Sequence, residues 1–169
     1  MAKLTVGRGL DEYIFKLTKL DALTPKVIGR TIYPAADIVA DAIKANIEKL
    51  PVSNTSRRGT PENPISTITS AQKQGLRDGF GISHMRQDGG IYNVKLGFDG
   101  YNTQVSTRSK TARWSNPHQA NQMIARAVEG GTSFRRKTPF IAPAIRATKA
   151  QAEKIMAEVL DEEIEKIMK

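Results

Sequence analysis

The sequence predicts an α+β fold: a small, mainly antiparallel sheet packed by helices, with long mobile loops and a long C-terminal helix. Three observations carry this expectation. Apolar residues recur with the helical period near both ends of the chain. Between residues 80 and 98 they alternate with the period of a strand. Proline, glycine and small polar residues fill about 51–68, and polar and basic residues fill most of 103–117. The 169 residues suit a single domain, 1–169, with those two loops and a C-terminal helix over about 143–169.

Lys3–Val6 reads as a short strand, closed by Gly7 and Gly9. Leu10 to Leu20 reads as a helix, with Leu10, Ile14 and Leu17 on one face and Tyr13 on its flank. Asp11 and Glu12 fall in its first turn, where the helix dipole favours negative charge. Thr24-Pro25 then has the chemistry of a new helix start, Thr as N-cap and Pro at the first helical position. From there Ile32, Ala36, Val39, Ile43, Ile47 and Leu50 form one stripe. Pro34 interrupts it and predicts a kink or a break, because it removes a backbone bond and crowds the carbonyl of Arg30. Pro51 ends the helix.

Residues 51–68 are a long loop of a length often associated with function or disorder. Residues 69–78 carry a short helical pattern behind a candidate N-cap, Thr69. Phe80 and Ile82 on one side of Asp88-Gly89-Gly90, and Tyr92, Val94, Leu96 and Phe98 on the other, predict a β-hairpin with one buried face. A turn over 97–102 leads to a possible strand at Gln104 and Val105. Residues 106–117 form a polar, basic arm holding the single tryptophan, Trp114. Asn116 is a candidate cap for a helix over 118–129, its apolar face built from Met123, Ala127, Ile124 and Val128, ended by Gly130-Gly131. Pro143 opens the last helix, whose stripe is Ile145, Ala152, Ile155, Val159, Leu160, Ile164 and Ile167.

The absence of cysteine excludes disulfides, thiolate metal sites and a cysteine nucleophile. No signal-peptide core and no run long enough to span a bilayer is found, which predicts a soluble intracellular product without a membrane partner. The net charge of +9 is uneven: +2 over residues 1–50, +10 over 51–150 and −3 over 151–169. Such a basic middle suits nucleic acid or a complementary protein surface.

No catalytic, cofactor-binding or metal-binding constellation emerges. His84 and His118 lie far apart, and the carboxylates Asp161, Glu162, Glu163 and Glu165 are expected to form a solvated helix face. Gly7-Arg8-Gly9 lacks the third glycine of a dinucleotide fingerprint, and no phosphate-binding glycine loop follows a strand. Asn54-Thr55-Ser56 matches a glycosylation acceptor, but nothing in the sequence points to secretion. The expectation is a protein without enzymatic activity and without a cofactor. Basic residues gather instead in three places: Arg57 and Arg58; Arg108, Lys110 and Arg113 beside Trp114; and Arg135, Arg136 and Lys137. Cations around an exposed aromatic are what a single-strand nucleic-acid binder uses, and equally what a rim docking on acidic partners or lining a DNA channel would use. Solvated loop charge is the plain alternative.

Residues 121–144 are the most informative stretch. Val128, Glu129, Gly131 and Thr132, a basic run, and then Pro139, Phe140, Pro143 and Ala144 opening a terminal helix resemble the bacteriophage HK-type tail-component family. These are tail-completion or head–tail joining proteins of long-tailed phages. The segments 9–12, 35–42 and 94–101 agree with it, while the extra Gly130 and both basic loops depart from it. The resemblance implies a virion or prophage structural protein of the tail or neck, made in the host cytoplasm. It further implies a homo-oligomer in the form of a hexameric ring, other neck or tail proteins as partners and DNA passing through the channel.

Overall fold

The computed structural model describes residues 8–54, 59–105 and 118–169. Two long helices, α1 (Arg8–Glu48) and α4 (Ile141–Met168), form its frame. They run antiparallel. Near one end the Asn46 side-chain amide donates to the Phe140 carbonyl at 3.0 Å, and further along the Arg30 guanidinium reaches Glu163 at 2.7 Å.

Helix α1 corrects the expected division of this region. One helix runs through both Pro25 and Pro34, so no new helix starts at Thr24 and no break occurs at Pro34. Each proline removes one intrahelical hydrogen bond, at a cost of about 3 kcal/mol in a free helix. Packing outweighs that cost here. From Val27 onward, Val27, Thr31, Ala35, Ala40, Ile43 and Ile47 are all buried. Thr24 turns its hydroxyl back to the Leu20 carbonyl at 3.0 Å, as a residue inside a helix does.

Leu50 and Pro51 lead into a connection with a parallel bridge between Val52 and Ile68. Ser53 N–H donates to Ile68 O and Ile68 N–H to Pro51 O, both at 2.9 Å. The described part of the expected mobile loop is therefore tied at both ends. Helix α2 (Ser70–Gly79) follows, and Thr69 and Gln72 form the full reciprocal capping box.

Among the described residues the small sheet resolves into three two-stranded antiparallel ladders. Strand β1 (Phe80–Ile82) pairs with β4 (Leu96–Phe98), Phe80 opposite Phe98. Between them β2 (Arg86–Asp88) and β3 (Ile91–Asn93) close a hairpin through Gly89 and Gly90. Both glycines have positive φ, 58° and 86°, the backbone that a two-residue hairpin of this twist requires. Strand β5 (Tyr101–Val105) pairs with β6 (His118–Ala120).

That last pairing corrects the helix expected over 118–129, which begins only at Asn121 as α3 (Asn121–Gly130). Its buried face is Asn121, Ala125 and Val128, whereas Met123 is 69% exposed. The bulk of Met123 suggested an inward position, but the side facing α2 is built from smaller groups. Helix α4 starts two residues before Pro143, which sits in the first turn where a missing N–H is harmless. Its buried positions are Ala144, Thr148, Ala152 and Glu163; Ile145 and Leu160, expected in the stripe, are exposed. Small residues face α1 because two long helices in close contact leave little room between their backbones.

Phe140, Ile43, Ile47, Ile68, Leu76 and Val128 fill the core, drawn from α1, α2, α3, the 51–68 connection and the start of α4. Phe98 bridges to it, with ring centroids 5.0 Å from Phe80 and 5.9 Å from Phe140. The expected strand Lys3–Val6, the cap Asn116 and the arm 106–117 lie outside the described residues.

Candidate functional site

The stretch singled out in the sequence becomes the joint between α3 and α4. Val128 is fully buried and fixes the end of α3 on the core. Gly131 then takes a φ of 77° and donates its N–H to the Ala127 carbonyl at 3.0 Å, which stops the helix. Of the two adjacent glycines, Gly130 and Gly131, only Gly131 takes a positive φ. Thr132 and Arg135 exchange backbone hydrogen bonds of 2.9 and 3.1 Å, turning the chain back. Thr138 N–H then returns to the Val128 carbonyl at 2.9 Å.

Glu129 closes the joint. One carboxylate oxygen accepts the N–H groups of Phe140 at 2.7 Å and Ile141 at 2.9 Å, and the other accepts that of Ala142 at 2.9 Å. The next residue, Pro143, has no N–H. The four orphan positions at the start of α4 are thereby all accounted for by one side chain and one proline. Burial pushes the Glu129 carboxyl up, but the three backbone donors and the Lys137 charge pull further the other way, leaving it below its usual range. Phe140, 1% exposed, is both the residue before the helix and its anchor in the core.

The basic run divides into structural and exposed parts. Arg135 is half-buried, and its guanidinium donates to the Thr67 carbonyl at 2.6 Å. Burial lowers its pKa from the ordinary arginine value. The side chain staples the 51–68 connection to the joint. Backbone bonds Ile65 N–H to Phe134 O and Arg136 N–H to Ile65 O complete the staple, at 3.2 and 2.8 Å. Arg136 and Lys137 are exposed, beside the exposed Phe134. Arg57, Arg58, Arg108, Lys110, Arg113 and Trp114 lie outside the described residues.

Of the family-like positions, Val128, Glu129, Gly131, Thr132, Phe140, Pro143 and Ala144 all take part in the joint, and Pro139 leads into it exposed. A shallow cavity of about 350 Å³ opens beside it, lined by Phe98, Ala125, Arg126, Glu129 and Ile141 among others. Both Glu129 oxygens are already engaged there, which leaves Gln122 and Arg126 as the other polar side chains that line it. Among the described residues no cluster of three or more His, Asp or Glu could hold a metal ion, and no helix is long and apolar enough to cross a membrane. His84, in the connection between β1 and β2, and His118, at the start of β6, are both exposed.

Sequence reasoning named Glu129 as part of the family-like motif but not its capping of α4; the signal for that was the absence of any Ser, Thr, Asp or Asn at the start of the helix. Glu163, assigned to a solvated face, is 8% exposed and lies between Arg30 and Lys166, each at 2.7 Å. Hydrogen bonds from Lys166 and then Arg30 hold its carboxyl below the usual range. No local pattern announces a partner 133 residues away.

Comparison of the chain with protein-family models, with curated proteins and with solved structures finds no match.

Proposed function

We propose that this chain is a structural protein of a phage or prophage tail or neck, acting in tail completion or head–tail joining as a ring-forming oligomer. One observation carries the reading: the residues through which it resembles the HK-type tail-component family are those that build the α3–α4 joint. Here Val128, Glu129, Gly131, Phe140 and Ala144 serve one purpose, the orientation of a long terminal helix. The charge distribution supports assembly as well, since a ring needs two unlike surfaces on each subunit. The net +10 of residues 51–150 and the net −3 of the final 19 residues provide them.

Electron microscopy of particles from a host strain lacking this gene tests the reading. Unjoined heads and tails, or tails of unfinished length, are the expected result; normal virions would overturn it.

The exposed Arg136 and Lys137 next to Phe134 favour one alternative, a nucleic-acid-binding protein that also uses the arm around Trp114. Titration of labelled single- and double-stranded DNA at two salt concentrations separates the two. Tight binding with a steep salt slope, lost on deletion of residues 106–114, supports the alternative.

A further inference from the structure

The cavity beside the α3–α4 joint lies along an open strand edge. Strand β4 pairs with β1, and no other strand adjoins it among the described residues. Asp99 N–H donates to Gly79 O and Ser83 N–H to Lys95 O, both at 2.8 Å. In that antiparallel register Gly97 faces Gly81 as a hydrogen-bonded pair. The N–H and C=O groups of Leu96 and Phe98 therefore point the other way, out of the ladder. None of the four has a hydrogen-bond partner among the described residues. The cavity of about 350 Å³ touches both Gly97 and Phe98. Adjacent strand residues point to opposite faces, so a space that touches both lies at the edge of the strand. No residue of β1 lines it, which places it at the outer edge, where Leu96 and Phe98 present their unpaired groups.

Helix α3 forms the opposite wall of this groove. Gln122, Arg126 and Glu129 follow one another at helical spacing along that wall, and Ala125 and Ile141 supply an apolar floor with Phe98. Backbone, floor and charge each narrow the occupant. The open edge pairs with main-chain donors and acceptors in extended form, which a polypeptide carries and a nucleic acid does not. The floor takes an apolar side chain. It offers no platform for a base, because the Phe98 ring is engaged with Phe80 and Phe140. Arg126 is exposed and has no ion-pair or hydrogen-bond partner among the described residues; the exposed side chain of Lys95, just before β4, has none either. The neighbouring carboxylates are occupied. Glu129 accepts three N–H groups, and Asp99 accepts that of Gly100 at 2.7 Å.

We propose that the outer edge of β4 and the facing side of α3 bind an extended acidic segment of a partner protein. The segment adds to β4 as a third strand of that ladder and sets an apolar side chain on Phe98, Ala125 and Ile141. It brings a carboxylate to Arg126. The inference does not rest on the neck reading.

Nuclear magnetic resonance on the full chain tests it, with a hexapeptide alternating valine and glutamate as the probe. In the free protein the Leu96 and Phe98 amides should exchange with deuterium faster than the paired Gly97 amide. Millimolar peptide should shift these two amides, protect them and shift the Arg126 side chain. Arg126→Glu should weaken the peptide about tenfold or more. Thermal unfolding of that variant should stay unchanged, because the exposed guanidinium holds no other part of the fold. N-methylation of the alternate peptide nitrogens that face β4 should weaken binding by a similar factor, and methylation of the other set should not. Absence of protection at Leu96 and Phe98, undiminished binding to Arg126→Glu, or undiminished binding of both methylated peptides overturns the proposal. Equal binding of a peptide alternating valine and lysine does so too. So does protection of the two amides that rises with the concentration of the protein alone, which would assign the edge to a second copy.

Discussion

At the scale of single residues, Glu129 and Phe140 matter most, and through different physics. Phe140 contributes burial: its ring stacks edge-on to Phe98 and closes the core between α1 and α3. Phe140→Ala should cost about 3–5 kcal/mol, the range for emptying a large aromatic site. Chemical denaturation checks this, and a loss under about 1 kcal/mol would remove the anchor role. Glu129 contributes direction. Removing its carboxylate strands three N–H groups at the start of α4, and Glu129→Ala should cost about 2–3 kcal/mol. Glu129→Gln keeps one acceptor oxygen and should lose less. Equal losses for the two variants would mean that the charge and the second oxygen contribute nothing.

At the scale of elements, the strands and short helices follow from local chemistry, and the long helices do not. Thr69 with Gln72, and Gly89 with Gly90, act on residues within three positions, so α2 and the β2–β3 hairpin were legible. The joint was legible as a pattern, and the glycine pair at its start as a helix stop. Reading α1 required knowing that α4 lies along it, because only that packing offsets Pro25 and Pro34. Met123 and Ile145 were placed inward, whereas close helix contacts chose Ala125 and Ala144; Ala152, expected in the stripe, is buried. A similar constraint acts on α2. A Cβ at Gly75 would stand 2.4 Å from both Asn102 Cβ and Asn121 Oδ1, side chains that are themselves buried. Gly75→Ala should therefore destabilise by about 1–3 kcal/mol through overpacking, despite the better helix propensity of alanine. A rise in thermal midpoint would show that α2 can shift away from β5 and α3 at little cost.

At the scale of the whole molecule, α4 is fastened by a carboxylate near each end. Glu129 holds its start from α3, and Arg30 of α1 holds Glu163 near its finish. Both carboxyls are depressed in the folded protein relative to their ordinary value of 4.5. The stability they provide is thus present above that value and is lost as pH falls through their folded values. Acid unfolding should begin in that window. The double variant Glu129→Gln, Glu163→Gln should be less stable at neutral pH and show a flatter decline below pH 4.5 than the parent. Denaturation midpoints measured from pH 7 to 2.5 check this; parallel curves would place the acid sensitivity elsewhere.

The single carboxylate behind three backbone protons has a kinetic consequence. In most helices the first amides exchange with solvent independently, each through its own fraying. Here the protons of Phe140, Ile141 and Ala142 depend on one rotamer of one side chain, rooted in the preceding helix. When Glu129 swings away, all three become available at the same moment. Deuterium uptake at these positions should therefore be correlated, with a shared opening rate that reports how often the hinge between α3 and α4 comes loose.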